Sequence, residues 1–482
     1  MLISPQSTAS AADYLADSLA ALTVHSRVMA VLAGPGPAFA ALLEVARHRQ
    51  FVLAPLDPRL PPRELLERLR RLHVGLLLYE PVASKLVEKL AGELSRGDRG
   101  RPEDLAGSGL LGLVFNPVLN PPSKVGEGRP LDEGLARGGG TLLFTSGTAG
   151  QARAVFHGWR AHETAAACSR ANLGTRERDL WLANLPVHHV SGLSIFVRAS
   201  IDRVPVVAQP RFDREATLDA IENRGVTLAS AVPTMLGRLL DLLDDRPLRG
   251  RLRALLLGGA PCPGSLLTRA LRAGFPLLAT WGMTETAAQA VTARPGEKTP
   301  PQSCGRPLPG VSVAVRAPGS PEARGSGHGE LLVKTPGLMA GYLNDQGKAP
   351  IELNDHWFAT GDLGRVDEQG FVYCEGRRDD LIISGGENVN PSRVEGVLRE
   401  HEDVLDAAVF GLRHTQWGRQ VTARVVLKPG ASLSKVALTE WARERLAPFE
   451  LPRTIEFSDD IPRGPSGKLL RLSLPRSTDS PL

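Results

Sequence analysis

Short apolar runs alternate with helix-like stretches along the N-terminal part of the chain, and that rhythm leaves few folds open. Arg27-Val-Met-Ala-Val-Leu32 reads as a strand, Gly34-Pro35-Gly36-Pro37 as a turn, and Ala38 to Ala46 as a helix. Phe51-Val-Leu-Ala54 is the next strand. Pro62 then opens a helix, with Glu64 in its first turn and Leu65, Leu66, Leu69 and Leu72 on one face. Val74 to Tyr79 is strand-like again. Strands separated by helices pair in parallel, so this pattern predicts βαβ units. The uncharged stretch Val28 to Leu43 is shorter than the roughly 18 residues a membrane span needs, and the Gly/Pro turn interrupts it.

The texture changes along the chain. Residues 97–140 are rich in Gly, Pro and Arg, which predicts a surface excursion or loose connection. From 141 the βαβ rhythm resumes. Near 300 short strands between turns, such as Val311–Val315 and Glu330–Lys334, predict a smaller all-β unit. From about 379 a helix over 391–400, strands near 404–410 and 421–427, and a helix over 434–446 predict a compact α+β unit.

A length of 482 residues suits two to four domains. Apolar residues at 42% and charged residues at 23% exclude a disordered or fibrous chain. A net charge of +5 is too weak over this length to argue for nucleic acid, though it favours an anionic small molecule. The four cysteines, Cys168, Cys262, Cys304 and Cys374, form no CxxC pair, so neither a zinc cage nor a disulfide framework is expected. No signal peptide and no basic amphipathic segment is read, and a cytoplasmic location is the expectation.

The most informative stretch is Leu142-Leu-Phe-Thr-Ser-Gly-Thr-Ala-Gly150, followed by Arg153. A β-run enters a loop of small and hydroxyl residues, and a cation follows. Backbone N–H groups and hydroxyls in such a loop can cradle a polyphosphate. On residue types alone it could equally be a plain turn. It is not a Walker loop, because GxxxxGK[ST] is absent.

Thr145, Ser146, Gly147, Thr148 and Gly150 closely resemble the phosphate loop TSGTTGxPKG of the adenylate-forming superfamily of acyl-CoA ligases, luciferases and peptide-synthetase adenylation domains. Ala149, Ala152 and Arg153 replace the usual Thr, Pro and Lys. Other segments resemble that family's motifs in the same order. In Thr280-Trp-Gly-Met-Thr-Glu-Thr286, the resemblance places Trp281 and Gly282 beside adenine, Thr284 on phosphate and Glu285 on Mg²⁺. Leu257-Gly-Gly-Ala-Pro261 resembles the segment lining the adenine and acyl pockets, which implies roles for Gly258, Gly259, Ala260 and Pro261. Trp357-Phe-Ala-Thr-Gly-Asp362 implies that Asp362 accepts the ribose hydroxyls. Gly376 to Asn388 resembles the hinge segment, with Arg377 on ribose, Asp379 as the hinge, and Gly385 and Gly386 in the loop that meets the pantetheine tunnel. Ile461 to Arg471 resembles the segment whose Lys, here Lys468, catalyses adenylation by stabilising charge as it develops.

The resemblance implies an α/β fold. A large N-terminal domain, 1–378, is made of βαβ subdomains plus a small β-barrel-like subdomain, and a mobile α+β C-terminal domain spans 379–482. It implies ATP, Mg²⁺ and coenzyme A as cofactor and co-substrates, with a small carboxylic acid as the partner. No stable membrane insertion is expected, and a homo-oligomer is left open.

Leu185-Pro-Val-His-His-Val-Ser-Gly-Leu-Ser194 carries no acid that could hold a substrate ammonium, which disfavours an amino acid. The segment resembles LPLFHVSG of the o-succinylbenzoate–CoA ligases of menaquinone synthesis, with His188 in place of Phe. His189 and Ser191 then belong to the acyl pocket. The expected acid keeps a second carboxylate when the first is activated, and Arg198 is the candidate to attract it. Three readings stay open on the residues: that ligase, another aryl or medium-chain acyl-CoA ligase, or a nucleotide-binding homologue without catalysis.

Overall fold

The computed structural model describes residues 1–20, 27–93, 102–105, 110–114, 137–145, 152–244, 246–344, 353, 356–384, 386–415 and 417–462. Among them are four sheets. One runs Gly341–Tyr342, Arg153–Gly158, Gly140–Thr145, Val52–Pro55, Val28–Leu32, Leu76–Tyr79, Leu110–Val114, Pro102–Leu105 in spatial order. Its centre is parallel, as the βαβ rhythm predicts.

Strand Val28–Leu32 shows how sequence period builds the layers. Successive side chains leave opposite faces. Met29 and Val31 join the core shared with the helices Pro37–His48 and Val190–Asp202, whereas Val28, Ala30 and Leu32 pack with Leu65, Leu66 and Leu69 of helix Pro62–Arg71. Both faces are covered, so every residue of the strand is apolar. The stretch weighed as a membrane span is thus a strand, a turn and a helix, and no helix among the described residues is long and apolar enough to cross a membrane.

The second sheet is ordered Leu2–Ile3, Val206–Ala208, Trp181–Ala183, Leu228–Ala231, Ala254–Leu257, Leu277–Trp281, Val291–Thr292, Arg306–Pro307. Trp181, fully buried, and Leu256 face the same core as Met29. The third sheet is antiparallel: Ala323–Arg324, Ser312–Arg316, Gly327–Lys334, Phe358–Val366, Val372–Arg377. This is the all-β unit expected after residue 300. The fourth pairs Glu387–Val389, Ile382–Ser384, Gly418–Leu427 and Val404–His414, with Thr454–Phe457 beside Gly418–Leu427. Helices Pro391–Arg399 and Lys435–Arg443 supply Val394, Leu398, Leu438 and Ala442 to its separate core.

One expectation is corrected. Within the stretch read as a loose excursion, Leu110–Val114 pairs antiparallel with Leu76–Tyr79, and Pro102–Leu105 pairs with Leu110–Val114. The apolar run Leu110-Leu-Gly-Leu-Val114 is short and flanked by Gly, Pro and Arg, so its pairing with a distant strand has no local signal. The remainder of that stretch up to residue 136 lies outside the described residues.

Candidate active site

The parallel strands of the second sheet end on one side, and the loops leaving their C-terminal ends carry the motif residues. This is where ligands bind in open α/β sheets. Strand Ala254–Leu257 delivers Gly258 to Pro261, Leu277–Trp281 delivers Gly282 to Glu285, and Trp181–Ala183 leads to His188 and His189. From the first sheet, Thr145 ends one strand and Arg153 starts its neighbour. The two are register partners, on either side of residues 146–151.

Thr145, Arg153, His189, Ser191, Arg198, Gly258, Gly259, Ala260, Pro261, Trp281, Gly282, Thr284, Glu285, Asp362, Arg377 and Asp379 all line one cleft of about 2900 Å³. A site for a single small molecule is roughly 300–1,000 Å³, so this cleft has room for several ligands or one long one. Ser146, Gly147, Thr148, Gly150, Gly385 and Lys468 lie outside the described residues. Gly386 is exposed, with φ 87°, a backbone conformation that suits glycine.

At the end of the cleft where the resemblance places the nucleotide, the polar groups are paired with one another. Asp362 and Arg377 face each other across adjacent strands, with Arg377 Nε 2.5 Å from Asp362 Oδ1. Trp281 Nε1 donates to Asp362 Oδ2 at 2.7 Å. The Trp that replaces the usual Tyr therefore supplies an indole N–H, a donor only, to the carboxylate expected on ribose. Asp362 N donates to Thr360 Oγ1 at 3.0 Å, which fixes the strand carrying it.

After Trp281 the chain doubles back. Gly282 lies so close to the Ala288 carbonyl that a Cβ there would clash with it. Ala287 (φ 52°) and Ala288 (φ 104°) complete the reversal in the left-handed region that side chains seldom occupy. This turn presents Thr284 and Glu285 to the cleft. Glu285 is 8% exposed and accepts from Tyr342 Oη at 2.6 Å. The Arg153 guanidinium sits over the Tyr342 ring, 4.0 Å from its centroid. Burial and the Glu285 carboxylate hold the phenol protonated by pushing its pKa up. Thr145 Oγ1 is buried at the cleft without a partner among the described residues. An orphan hydroxyl beside a cation suits a phosphate oxygen.

The end expected to hold the acid, the acyl end, is different. His189 is the N-cap residue of helix Val190–Asp202, and Ser191, Ser194 and Arg198 lie along that helix facing the cleft. Burial pushes the His189 pKa down, and its Nε2 is buried without a partner. His188 turns away. It lies 3.4 Å from Asp57, and burial drives its pKa to about 3. Arg198 is 5% exposed, and burial lowers its pKa to about 10. No carboxylate among the described residues forms an ion pair with it. Asp202, one turn further on, pairs with Arg170 at 2.8 Å instead. Asp202 still acts on Arg198 electrostatically, opposing part of the effect of burial, and the Trp181 ring lies 5.7 Å from the guanidinium.

Asp379 sits in the short 3₁₀ turn Arg378–Asp380, where the third sheet passes into the fourth. Arg378 reaches back to Glu330 at 3.1 Å, and Glu330 also holds Arg316 at 2.6 Å. Tyr342, Thr360 and Glu330 were not singled out from the sequence. Tyr342 is one of only four tyrosines, which was the available signal.

The chain belongs to the family of AMP-binding enzymes: that family's model matches residues 4–343, and the model of the AMP-binding enzyme C-terminal domain matches residues 393–468. The chain is similar to the 2-succinylbenzoate–CoA ligase of Bacillus licheniformis, at 42% identity over 337 residues, 69% of this chain and 69% of that one. It also resembles two solved structures of o-succinylbenzoate CoA synthetase from Bacillus subtilis. The complex with the acyl-adenylate intermediate has a TM-score of 0.80 at 32% identity, covering 97% of this chain and 92% of that one. The complex with ATP and magnesium ion has a TM-score of 0.79 at 32% identity, covering 97% and 93%.

Proposed function

We propose that the chain is an ATP-dependent acid–CoA ligase of the cytoplasm that converts 2-succinylbenzoate, ATP and CoA to 2-succinylbenzoyl-CoA, AMP and pyrophosphate. The observation that carries the substrate is Arg198, a buried cation lining the acyl end of the cleft with no carboxylate paired to it among the described residues. Asp202 offsets only part of the burial, and a buried charge outside an ion pair is costly, so a ligand carboxylate would balance it. The acid proposed has two carboxylates. One reacts, and the other meets Arg198.

In the first step the succinyl carboxylate attacks the α-phosphorus and pyrophosphate leaves, giving a mixed acyl–phosphate anhydride. The residues act by holding and by balancing charge. Asp362, fixed by Trp281 and Arg377, takes the ribose hydroxyls. Thr145, Thr284, Arg153 and the loop residues Ser146, Gly147, Thr148 and Gly150 take the phosphates. Gly258, Gly259, Ala260 and Pro261 form the wall between adenine and acyl group, and His189 and Ser191 bound the acid. Lys468 bridges the attacking carboxylate and the α-phosphate.

Glu285 would hold Mg²⁺ together with the phosphates. Among the described residues no group of three or more His, Cys, Asp or Glu is placed to hold a metal. A single carboxylate completed by substrate phosphates is the usual Mg²⁺ arrangement. When bound, the ion supplies neutralisation of phosphate charge.

In the second step the CoA thiolate attacks the acyl carbon and AMP leaves. Residues 379–482 turn about Asp379, which replaces Lys468 by the Gly385–Gly386 face and opens the thiol's path. Closure in each step limits hydrolysis of the anhydride.

The test is thioester formation, dependent on both ATP and CoA, across 2-succinylbenzoate, benzoates, acetate and medium-chain fatty acids. Preference for 2-succinylbenzoate is expected. Preference for another acid overturns the substrate and keeps the chemistry. ATP binding without pyrophosphate release from any acid overturns the ligase reading.

A further inference from the structure

The residue that ties the nucleotide end together is one the motifs did not mark. The segment around Tyr342 is clamped from several sides. Gly341 and Tyr342 pair antiparallel with Phe156 and Val155 of the strand that begins at Arg153. Ala340 N donates to Phe156 O at 2.9 Å, and Leu343 N donates to Ala154 O at 2.8 Å. Arg71 Nη1 donates to Ala152 O at 2.8 Å and its Nη2 to Leu343 O at 3.5 Å, stapling the two strands. Toward the other side, Met339 N donates to the Glu285 carbonyl at 2.8 Å. The segment therefore spans the gap between the strand carrying Arg153 and the turn carrying Glu285.

Tyr342 uses both of its chemical faces there. Its hydroxyl donates to Glu285 Oε1 at 2.6 Å, and its ring carries the Arg153 guanidinium at 4.0 Å. Among the described residues no donor reaches the other Glu285 oxygen, Oε2. A glutamate has several rotors, and an orientation fixed beforehand saves ordering them when a ligand arrives. The same geometry gives a reason for Arg153. A planar guanidinium stacks on an aromatic face, whereas an ammonium is a compact, strongly hydrated charge that does so less well.

We propose that Tyr342 is a positioning residue for the ATP·Mg²⁺ site, one side chain setting both the metal-facing carboxylate of Glu285 and the phosphate-facing cation of Arg153. The inference rests on the ligase reading above.

The experiment is calorimetric titration of ATP into the full chain, without acid, over a Mg²⁺ series that begins in chelator. Tyr342→Phe keeps the ring and loses the hydroxyl. It should raise the Mg²⁺ concentration for half-maximal ATP binding about five- to tenfold. ATP affinity without Mg²⁺ and the KM of the acid should stay as in the wild type. Tyr342→Leu should also weaken Mg²⁺-free ATP binding about threefold, because Arg153 loses its seat. In that background Arg153→Lys should cost nothing further. An unchanged Mg²⁺ titration for Tyr342→Phe overturns the positioning role and leaves the ligase reading standing. A wild-type chain that binds no ATP at any Mg²⁺ concentration overturns both.

Discussion

The two ends of the cleft solve opposite electrostatic problems. At the nucleotide end, Asp362 is held by Arg377 and Trp281, and Glu285 is held by Tyr342. At the acyl end, His189 Nε2 is buried without a hydrogen-bonding partner among the described residues, and Arg198 is a buried cation that forms no ion pair among them, Asp202 acting on it only electrostatically. The first end is organised by internal pairs before any ligand arrives. The second keeps a buried cation outside any ion pair among the described residues, which on the proposed function a ligand carboxylate would balance. ATP is common to every member of an adenylate-forming family, whereas the acid is what a member must choose. A fixed site suits the shared substrate, and an unbalanced one suits discrimination, because an acid that fails to supply the missing charge leaves the penalty in place.

The comparison breaks most visibly at Asp362. Asp362→Ala removes the acceptor of two charge-assisted or buried bonds at once. It should lower kcat/KM for ATP about 1,000-fold, on the order of 4 kcal/mol, with the acid's KM little changed. Unfolding should also become easier, because Arg377 and the Trp281 N–H lose their shared partner. Arg377 keeps part of its hydration, since its side chain is 34% exposed, so the stability loss should be about 1–2 kcal/mol. Steady-state kinetics and a denaturant series check both. An acid KM that rises as steeply as that of ATP would mean that the two ends are not separate.

Protons test the scaffold beneath the nucleotide end. His157, on the strand that begins with Arg153, is completely buried, and burial lowers its pKa from 6.5 to about 4. The neighbouring His162 is lowered in the same direction, first by burial and then by His157. Each folded-state pKa is below the unfolded one, so between pH 6.5 and 4 the unfolded chain binds the extra proton. Stability is therefore full above about pH 6.5 and falls as the pH drops through this window, by about 3 kcal/mol for His157. The urea midpoint followed against pH should show the slope, and His157→Phe should flatten it. Parallel curves for the variant and the wild type would remove His157 as its source.

Arg198→Met addresses the acyl end. It should lower kcat/KM for 2-succinylbenzoate about 50-fold, roughly 2–3 kcal/mol, while leaving an acid without a second carboxylate nearly unaffected. Its effect on stability should have the opposite sign to that of Asp362→Ala. No ion pair is broken, and a cation that burial penalises is removed, so the unliganded protein should hold or gain thermal stability. Unchanged selectivity between the two acids would sink charge recognition by Arg198. A large loss of stability would show that Arg198 is a structural ion.

The asymmetry between the ends also marks how much could be read beforehand. Strands buried on both faces, such as Val28–Leu32 and Leu76–Tyr79, announce themselves as apolar runs, and the helices between them as amphipathic stretches. Several motif positions reach one cleft because they follow the C-terminal ends of parallel strands, as Gly258 to Pro261 and Gly282 to Glu285 do. Pairing is harder to read. Trp281 and Asp362 are 81 residues apart, and nothing local says that the indole turns toward the carboxylate. Tyr342 lies 57 residues beyond Glu285, on a two-residue strand with no pattern of its own. That Arg198 forms no ion pair among the described residues is less visible still, because it depends on Asp202 bonding to Arg170 instead.

The smallest expected effect is the most exact probe of the contrast. Trp281→Phe keeps a large aromatic beside the expected adenine position and removes only the N–H that reaches Asp362 at 2.7 Å. Arg377 still holds the other carboxylate oxygen. The cost should lie at the low end for a single hydrogen bond to a charged group, about 1.5 kcal/mol, or roughly tenfold in the KM of ATP. Trp281→Tyr restores the usual family residue and asks a further question. A phenol hydroxyl projects along the ring axis, whereas the indole N–H leaves from the side of the ring. If the Trp is present for its N–H, Tyr should recover little more than Phe. If Tyr recovers full ATP affinity, Asp362 does not need the indole N–H, and the nucleotide end is less tightly organised than its pairing implies.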